Sequence, residues 1–399
     1  MRVTQGLEQS QFLTALDQLE SNISATQNQI SSGLSFTTAS QNPVAAGLVT
    51  NYNQALAQSQ QYDTNSNSAQ SSLNTEGTAL TQVQNALQSL RDLALEANNA
   101  TESDQDRSAI AAQATQIQSS LLALANTQDG SGNYIFGGYS TQTQPFTLSA
   151  TGAAYNGDQG QRQVQIAAGQ TVVVGDNGDL VFNQVKTGNG TFDVAPAAAN
   201  TGSGVVGATT VSDQPTPYAG GAYSIDFTTP TTYQVLDSGN NVVTSGSYTT
   251  GQTISFGGLQ VTLTGAPAAG DSFSVTPSVN QSVFTTVQNL VTALQQSTST
   301  PSGQTQLNNS INSAINNIDQ ALTQTQNIQS SVGARLNSIT TQQSVAASQQ
   351  VQLKQSISTL QSLDYPTAIT SLDSQQTTLS AAMQAFTLTQ GLSLFKFLQ

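Results

Sequence analysis

Apolar residues recur at alternating spacings of three and four at both ends of the chain, and this period predicts long helices. In the C-terminal half the pattern runs from Ile311 to Leu360 as a heptad-like seam in which small and polar residues interrupt the apolar ones. Shorter stripes occupy the start of the chain and the segment after Pro366. We predict that the packing residues of these terminal stripes are Phe12, Leu16, Leu19 and Ile23 at the start, and Leu379, Met383, Phe386, Leu392, Leu394 and Phe395 at the end.

The stretch from Tyr134 to about Thr276 alternates apolar and polar residues with period two, which indicates short β-strands. The sequence GDNGD at Gly175 predicts a hairpin turn. From Ala195 to Ala222 the alternation is lost, and this favours a long loop or a junction between two β-lobes. The alternating positions are Val164 and Ile166; Val172 and Val174; Tyr223, Ile225 and Phe227; Ile254 and Phe256; Val261 and Leu263; and Phe273 and Val275.

These patterns predict an α+β fold in which both chain ends form a long antiparallel helical bundle or coiled-coil rod, with an inserted β-rich outer domain. A helix from about Gln304 to Gln361 would reach about 90 Å at about 1.5 Å per residue. Three or so helices precede the insert, and Gly77 is a weak point among them. We predict the following boundaries: residues 1–45, an N-terminal helix that packs on assembly; 46–133, the first part of the helical core; 134–280, the β-rich outer domain; 281–361, the second part of the helical core; and 362–399, a C-terminal helix that packs on assembly.

Composition argues against an enzyme. Only 8% of residues are charged, and there is no His and no Cys, so the usual acid–base residue at neutral pH and the soft metal ligands are missing. We expect no catalytic residue, no cofactor and no metal site. The pairs Asp226 with Asp237 and Asp176 with Asp179 are interpreted as turn and edge residues. The sequence DGSGN at Asp129 is interpreted as a tight turn, since it lacks the spaced carboxylates of a calcium loop.

The same composition limits the partners and the location. The 8 Lys and Arg residues lie singly, against a net charge of −14, so nucleic acid is not an expected partner. No apolar run approaches the roughly 20 residues that span a bilayer, so no membrane insertion is expected. The first residues contain no apolar h-region, and a cleavable secretory signal is therefore not predicted.

Two segments resemble the flagellin superfamily. They are ISSGLSFTTASQNPVAAG, from Ile30 to Gly47, and TEGTALTQVQNALQSLRDLALEANNAT, from Thr75 to Thr101. The chain departs from the superfamily pattern at Ser35, where a basic residue is expected, and at Gln41 and Asn42, where acidic residues are expected. Locally, Pro43 suits the first turn of a helix that Asn42 caps. The residues that match the superfamily signature are Gly33, Pro43, Glu76, Gly77 and Arg91.

Three further segments are similar to the hook-associated branch of that superfamily. They are YIFGGYSTQTQPF from Tyr134, GDSFSVTPSVNQSVFTTVQNLVTAL from Gly270, and DYPTAITSLDSQQTTLSAAMQAFTLTQGLSLFKFL from Asp364. The resemblance implies a structural axial protein of the bacterial flagellum, extracellular and exported by the flagellar type III route with a chaperone. It also implies a homo-oligomeric ring between the hook-side junction protein and the flagellin filament. The alternatives are a flagellin, or a surface adhesin whose β-insert binds glycans.

Periodicity alone favours a bundle closed within one chain, and the resemblance favours assembly instead. We expect the terminal stripes to lack a sufficient partner in a lone subunit and to become ordered when neighbouring subunits enclose them. Ordering costs roughly 1–2 kcal/mol of backbone entropy per residue, which only a large packed interface can offset. Arg91 could pair with a carboxylate of a neighbouring subunit or with one in its own chain.

Overall fold

The computed structural model describes residues 2–99, 102–149, 152–212 and 217–391. The chain divides into two compact units, one of Met1–Thr64 with Gln342–Gln399 and the other of Asn65–Thr341. Within the described ranges there are six α-helices: α1 (Arg2–Ser32), α2 (Pro43–Ala97), α3 (Asp104–Ala125), α4 (Val283–Leu294), α5 (Pro301–Gln361) and α6 (Tyr365–Gly391). The described helices include none that is both long and apolar enough to cross a membrane.

Helix positions follow the local sequence closely. Three helices precede the first strand, as predicted, and α2 runs through Gly77 without a break. Gly77 therefore does not end the helix, and the side chain of Val332 packs beside it. At the start of α3, Ser103 and Asp106 form a reciprocal capping box.

The larger unit has a helical core built from α2, α3, α4 and α5. All four helices contribute fully buried apolar side chains to one continuous cluster. The apolar seam predicted along α5 therefore packs on helices of its own chain within this unit. The largest contributions come from Leu73, Leu80, Leu87 and Leu90 of α2, Leu121 of α3, Phe284 and Leu290 of α4, and Ile311 and Ile318 of α5.

The first part of the insert belongs to this helical core. It carries β1 (Phe146–Ser149), β2 (Gly152–Tyr155), β3 (Gln163–Ala167), β4 (Gln170–Val173) and β5 (Val185–Lys186). These strands form the antiparallel hairpins β1–β2 and β3–β4, and β5 pairs with β14 (Asn280–Gln281). Their buried residues, such as Phe146 and Ile166, lie in the same cluster as the helices. This part of the insert is therefore not a separate lobe.

The hairpin predicted at Gly175 is wrong. Residues after β4 form an irregular segment that continues into a π-helical turn at Asp179–Asn183. The side chain of Asn177 accepts the backbone N–H of Leu180 at 2.9 Å, which starts a helical turn instead of a reversal into a strand.

The second part of the insert forms one β-lobe with its own core. It contains β6 (Phe192–Pro196), β7 (Val205–Val211), β8 (Tyr223–Thr229), β9 (Thr232–Asp237), β10 (Val242–Ser247), β11 (Thr253–Phe256), β12 (Leu259–Thr264) and β13 (Ser272–Pro277). One sheet has the order β10-β9-β8-β13-β6 and the other β11-β12-β7, and every pair is antiparallel. Both sheets bury side chains such as Phe227, Leu263 and Phe273 in one cluster. The stretch predicted to be a loop therefore contains a strand, β7, whose Gly and Thr content hides its alternation.

Buried asparagines of α5 hold this lobe. The Asn309 carboxamide accepts the N–H of Val206 at 2.8 Å and donates to the carbonyl of Gly204 at 3.0 Å. The Asn317 carboxamide oxygen accepts the N–H of Gly188 at 2.8 Å. Both amides are buried, so they form hydrogen bonds with backbone groups that would otherwise have no partner. These two polar residues of α5 thus bind the chain's own insert.

Candidate assembly interface

The two terminal helices pair within the smaller unit. The rings of Phe12 and Phe386 stack with centroids 4.9 Å apart. Further along, the hydroxyl of Thr26 lies 3.2 Å from the carboxamide oxygen of Gln375, so α1 and α6 run antiparallel. The terminal stripes therefore face each other within one chain, where the antiparallel arrangement brings Phe12 and Phe386 together. The expectation that this partner is not sufficient in a lone subunit stays a prediction.

This pairing leaves much of the predicted apolar surface uncovered. Phe12, Leu16, Leu19, Ile23, Leu379 and Phe386 are only partly buried, and Met383 is 47% exposed. On the same two helices Leu13, Ile369 and Leu388 are also exposed. An isolated exposed leucine is ordinary, but several along a single helix pair are typical of a surface that binds another protein. The other predicted packing residues, Leu392, Leu394 and Phe395, lie outside the described residues.

A second candidate surface lies where α2 and α5 run together in the same unit. An open groove of about 520 Å³ there is lined by Leu48, Tyr52, Val351 and Leu360 together with five polar residues of α5. Val351 is 68% exposed on the wall of this groove. Sequence reasoning missed it, although Val44 and Leu48 are apolar residues spaced by four at the start of α2.

The turn after α1 fixes where α1 ends and where α6 begins. Gly33 has a φ of 71°, and a Cβ there would lie 3.0 Å from the Tyr365 hydroxyl, so a larger residue is unfavourable. The Ser35 N–H donates to the Gln361 carbonyl at 2.7 Å, and the Leu363 N–H donates to the Gly33 carbonyl at 3.0 Å. These bonds connect the α1–α2 turn to the α5–α6 turn.

Neutral side chains complete this turn. The Gln41 carboxamide oxygen accepts the N–H of Thr37 at 2.7 Å. The Asn42 carboxamide oxygen accepts the N–H of Ala45 at 3.1 Å, and α2 begins at Pro43. The expected capping role of Asn42 and the expected position of Pro43 are confirmed.

Glu76 belongs to a buried charge cluster that the sequence did not reveal. Its Oε1 accepts the N–H of Asp176 at 3.0 Å, and Asp176 Oδ1 accepts from Arg335 Nη2 at 3.0 Å. The interpretation of Asp176 as a turn residue, or as a partner of Asp179, is therefore incomplete, because its carboxylate is buried in an ion pair. One available signal was the position of Glu76 between Leu73 and Leu80 on the apolar face of α2.

Arg91 pairs within its own chain. Its Nε lies 2.6 Å from Asp319 Oδ1, and both side chains remain partly exposed, at 38% and 42%. Of the two partners considered for Arg91, the structure shows the intramolecular one.

We expect Arg91→Met to lower the free energy of unfolding of the larger unit by about 1 kcal/mol or less, because solvent screens a half-exposed pair. Urea unfolding followed by circular dichroism measures this change. Asp319→Asn is the matched variant and should give a similarly small loss. A loss several times larger for either variant would contradict this assignment.

The other acidic residues considered for chemistry have structural partners. The Asp129 carboxylate accepts the N–H groups of Ser131 at 2.8 Å and Asn133 at 3.0 Å, which confirms the tight turn. Asp237 closes the turn between β9 and β10, and the N–H that Asn241 donates to it holds the pKa of that carboxyl below its usual value. Within the described ranges no three Asp, Glu, His or Cys side chains come together as a metal site.

Comparison with known proteins identifies the family to which this architecture belongs. The family model of the bacterial flagellin N-terminal helical region matches residues 3–141, and the family model of the C-terminal helical region matches residues 315–398. The D2-like domain of flagellar hook-associated protein 1 matches residues 196–277, which cover most of the β-lobe. Flagellar hook-associated protein 3 of Salmonella typhimurium and of Escherichia coli are each 39% identical over 71 residues. That alignment covers 18% of this chain and 22% of each relative.

With solved structures the similarity extends over nearly the whole length of the related chain. The crystal structure of Xanthomonas campestris FlgL is 35% identical, with a TM-score of 0.72, and the match covers 77% of this chain and 99% of that one. The chain belongs to the FlgL family of the flagellin superfamily. Flagellar hook-associated protein 3 of Legionella pneumophila is 30% identical with a TM-score of 0.73, covering 77% of this chain and 97% of its own. The predicted family and the predicted fold class, helical ends around a β-rich insert, are confirmed.

Proposed function

We propose that this FlgL-family protein is a structural axial subunit of the bacterial flagellum that joins the hook-side junction protein to the flagellin filament. One observation carries the proposal, namely that the terminal helix pair leaves both its apolar stripes partly exposed. Met383 and Leu388 on α6, with Leu13 on α1, remain exposed in one subunit. Other subunits of the same architecture supply the faces that can bury them.

Assembly then completes the burial of the helix pair. Fully burying a Leu, Met or Phe side chain stabilises by about 1.5–3 kcal/mol relative to leaving it exposed. Several such residues on α1 and α6 therefore offset part of the roughly 1–2 kcal/mol per residue that ordering a helix costs. We infer that copies of this subunit close into a ring, that α1 and α6 gain their full stability there, and that Leu392, Leu394 and Phe395, which lie outside the described residues, contribute to the packing. The segments 1–45 and 362–399 are the parts that pack on assembly.

The remaining features fit a protein that acts by assembly. We infer export by the flagellar type III route with a chaperone, and a final location outside the cell in the flagellum. The absence of Cys supports this route. The absence of His and Cys supports a role without catalysis or a cofactor. The β-lobe, residues 192–277, serves as an outer module of the subunit.

An assembly test uses an exposed residue of α6. Met383→Asp should leave the subunit folded, because the side chain is 47% exposed, but should place a charge in the packed interface. Cells that carry only this variant should make hooks without filaments and should release flagellin into the medium. Electron microscopy of the cells and immunoblots of the medium measure the two outcomes.

The matched control is Val242→Asp on β10, since Val242 is an equally exposed apolar residue of the β-lobe at 57%. It should support normal filaments. A deletion that begins at Leu392 should behave like Met383→Asp. Normal filaments with Met383→Asp would contradict the proposal. Self-polymerisation of the purified protein into long filaments would instead support a flagellin, and glycan binding that Val242→Asp abolishes would support an adhesin.

A further inference from the structure

Three charged side chains meet inside the larger unit at a point that the assembly function does not use. Glu76 comes from α2, Arg335 from α5, and Asp176 from the irregular segment between β4 and the π-helical turn. Glu76 is 1% exposed and Asp176 is 2% exposed, while the Arg335 side chain is 18% exposed. The cluster therefore lies where water cannot screen its charges.

The bonds in the cluster use one oxygen of each carboxyl group. Glu76 Oε1 accepts the Asp176 N–H at 3.0 Å. Asp176 Oδ1 accepts from Arg335 Nη2 at 3.0 Å and from Gln161 Nε2 at 3.4 Å. The second oxygens, Glu76 Oε2 and Asp176 Oδ2, are buried without a hydrogen-bond partner in the part of the chain that the structure describes.

The charges do not balance if both carboxyl groups are ionised. Two buried carboxylates would then share one guanidinium, and a buried charge without a partner is strongly unfavourable. Like charges at such a site are resolved by retaining one proton. The hydrogen bonds identify the atom that can hold it, because Glu76 Oε1 already acts as an acceptor and Glu76 Oε2 accepts no bond from the described residues.

We propose that Glu76 carries a proton on Oε2 in the folded protein at neutral pH, and that losing this proton at alkaline pH loosens residues 174–184 from α2 and α5. The proton makes the cluster neutral, with Asp176 and Arg335 as its ion pair. When the proton leaves, the Glu76 carboxylate repels Asp176, which is the residue that ties this segment to α2. The hydrogen bond from the Asp176 N–H to Glu76 Oε1 becomes stronger when Glu76 is charged. This bond favours the carboxylate, whereas burial and the repulsion from Asp176 both disfavour it.

The electrostatics of the site agree with this geometry. Burial, with the negative charge of Asp176 as the next cause, raises the pKa of Glu76 from 4.5 to about 8. The Asp176 N–H and the charge of Arg335 oppose this increase. Asp176 and Arg335 are the charged groups that act on Glu76 from the packed elements, and the side chain of Arg162, which directly precedes β3, lies beside Gly175.

The pKa difference fixes the direction of the pH dependence. Because the folded-state pKa of Glu76 lies above its unfolded-state value, the folded protein binds the extra proton between pH 4.5 and about 8. The stability that protonated Glu76 contributes is fully present below pH 4.5. It declines as the pH rises and is lost once the pH has passed about 8.

The test compares the full-length protein with Glu76→Gln, which keeps the acceptor oxygen and cannot ionise. Infrared spectroscopy of the wild-type protein should show the carbonyl band of a protonated carboxyl group at neutral pH, and this band should disappear above about pH 8. Hydrogen exchange, corrected for its intrinsic pH dependence, should show that residues 174–184 lose protection over the same range. Glu76→Gln should lack the infrared band and keep its protection.

The matched control is Glu96→Gln, which removes an exposed carboxylate from the same helix. It should retain both the band and the alkaline loss of protection. If Glu76→Gln fails to fold, the infrared titration of the wild-type protein still decides the question, because a missing band at neutral pH would overturn the proposal. An alkaline loss of protection that is equal in Glu76→Gln and the wild type would overturn it as well.

Discussion

Phe284→Ala is expected to lower the free energy of unfolding of the larger unit by about 3–5 kcal/mol. Phe284 is fully buried at the start of α4, and its ring centroid lies 5.3 Å from Phe146 and 5.8 Å from Phe182. These rings come from α4, β1 and the π-helical turn, so one side chain connects the two borders of the insert to the helical core. Removing it leaves a cavity that three separate elements cannot fill together.

Urea unfolding and calorimetry measure the Phe284 effect. Leu148→Ala is the matched control, because Leu148 lies on the same strand as Phe146 and is 67% exposed, so it should change stability very little. Phe284→Leu should lose less than Phe284→Ala, since it fills part of the space. If Phe284→Ala proved as stable as Leu148→Ala, the aromatic cluster would not hold the insert to the core.

The helices could be predicted because their signals are local. The spacing of apolar residues in α2 and α5 depends only on the helical period, and that period alone is enough to identify Leu73, Leu80 and Ile311 as residues of the apolar stripes. The cap at Asn42 and the helix start at Pro43 depend on residues within one turn. In strands β8 and β13 apolar and polar residues alternate clearly, and this signal also depends only on neighbouring positions. The fold class therefore follows from short-range pattern.

The connections between elements could not be predicted, because they depend on residues far apart in the chain. Asn309 and Val206 are separated by 103 positions, and nothing near either residue indicates the other. The irregular segment after β4 takes its conformation partly from Glu76, which lies 100 residues earlier than Asp176. Its sequence GDNGD has the composition of a hairpin turn, and the tertiary contact overrides that preference.

The candidate interface could be predicted only in part. The stripes identified residues that need an apolar partner, such as Phe12 and Phe386, but a stripe does not say whether the partner is the same chain or another one. The structure shows that Phe12 and Phe386 stack within one chain while Met383 stays exposed. Intramolecular pairing and assembly are thus compatible, because each helix has more apolar surface than one neighbour can cover.

Arg335→Leu is expected to lower the free energy of unfolding of the larger unit by about 3–5 kcal/mol at neutral pH, since removing one partner of a buried pair leaves an uncompensated charge. Asp176 is 2% exposed, so its carboxylate cannot recover its hydration when the guanidinium is gone. Arg91 supplies the matched comparison, because Arg91 and Asp319 form the same kind of pair with both side chains partly exposed. The ratio of the free energies of unfolding lost in Arg335→Leu and in Arg91→Met measures how strongly burial increases the cost of removing one partner of an ion pair in this fold.

The double variant Arg335→Leu with Asp176→Asn separates charge from packing. The introduced carboxamide would keep an acceptor oxygen for Gln161 and remove the unpaired charge, so urea unfolding should recover most of the stability lost in Arg335→Leu. If the double variant were as unstable as Arg335→Leu, the packing of the Arg335 side chain, and not its charge, would be what stabilises the cluster.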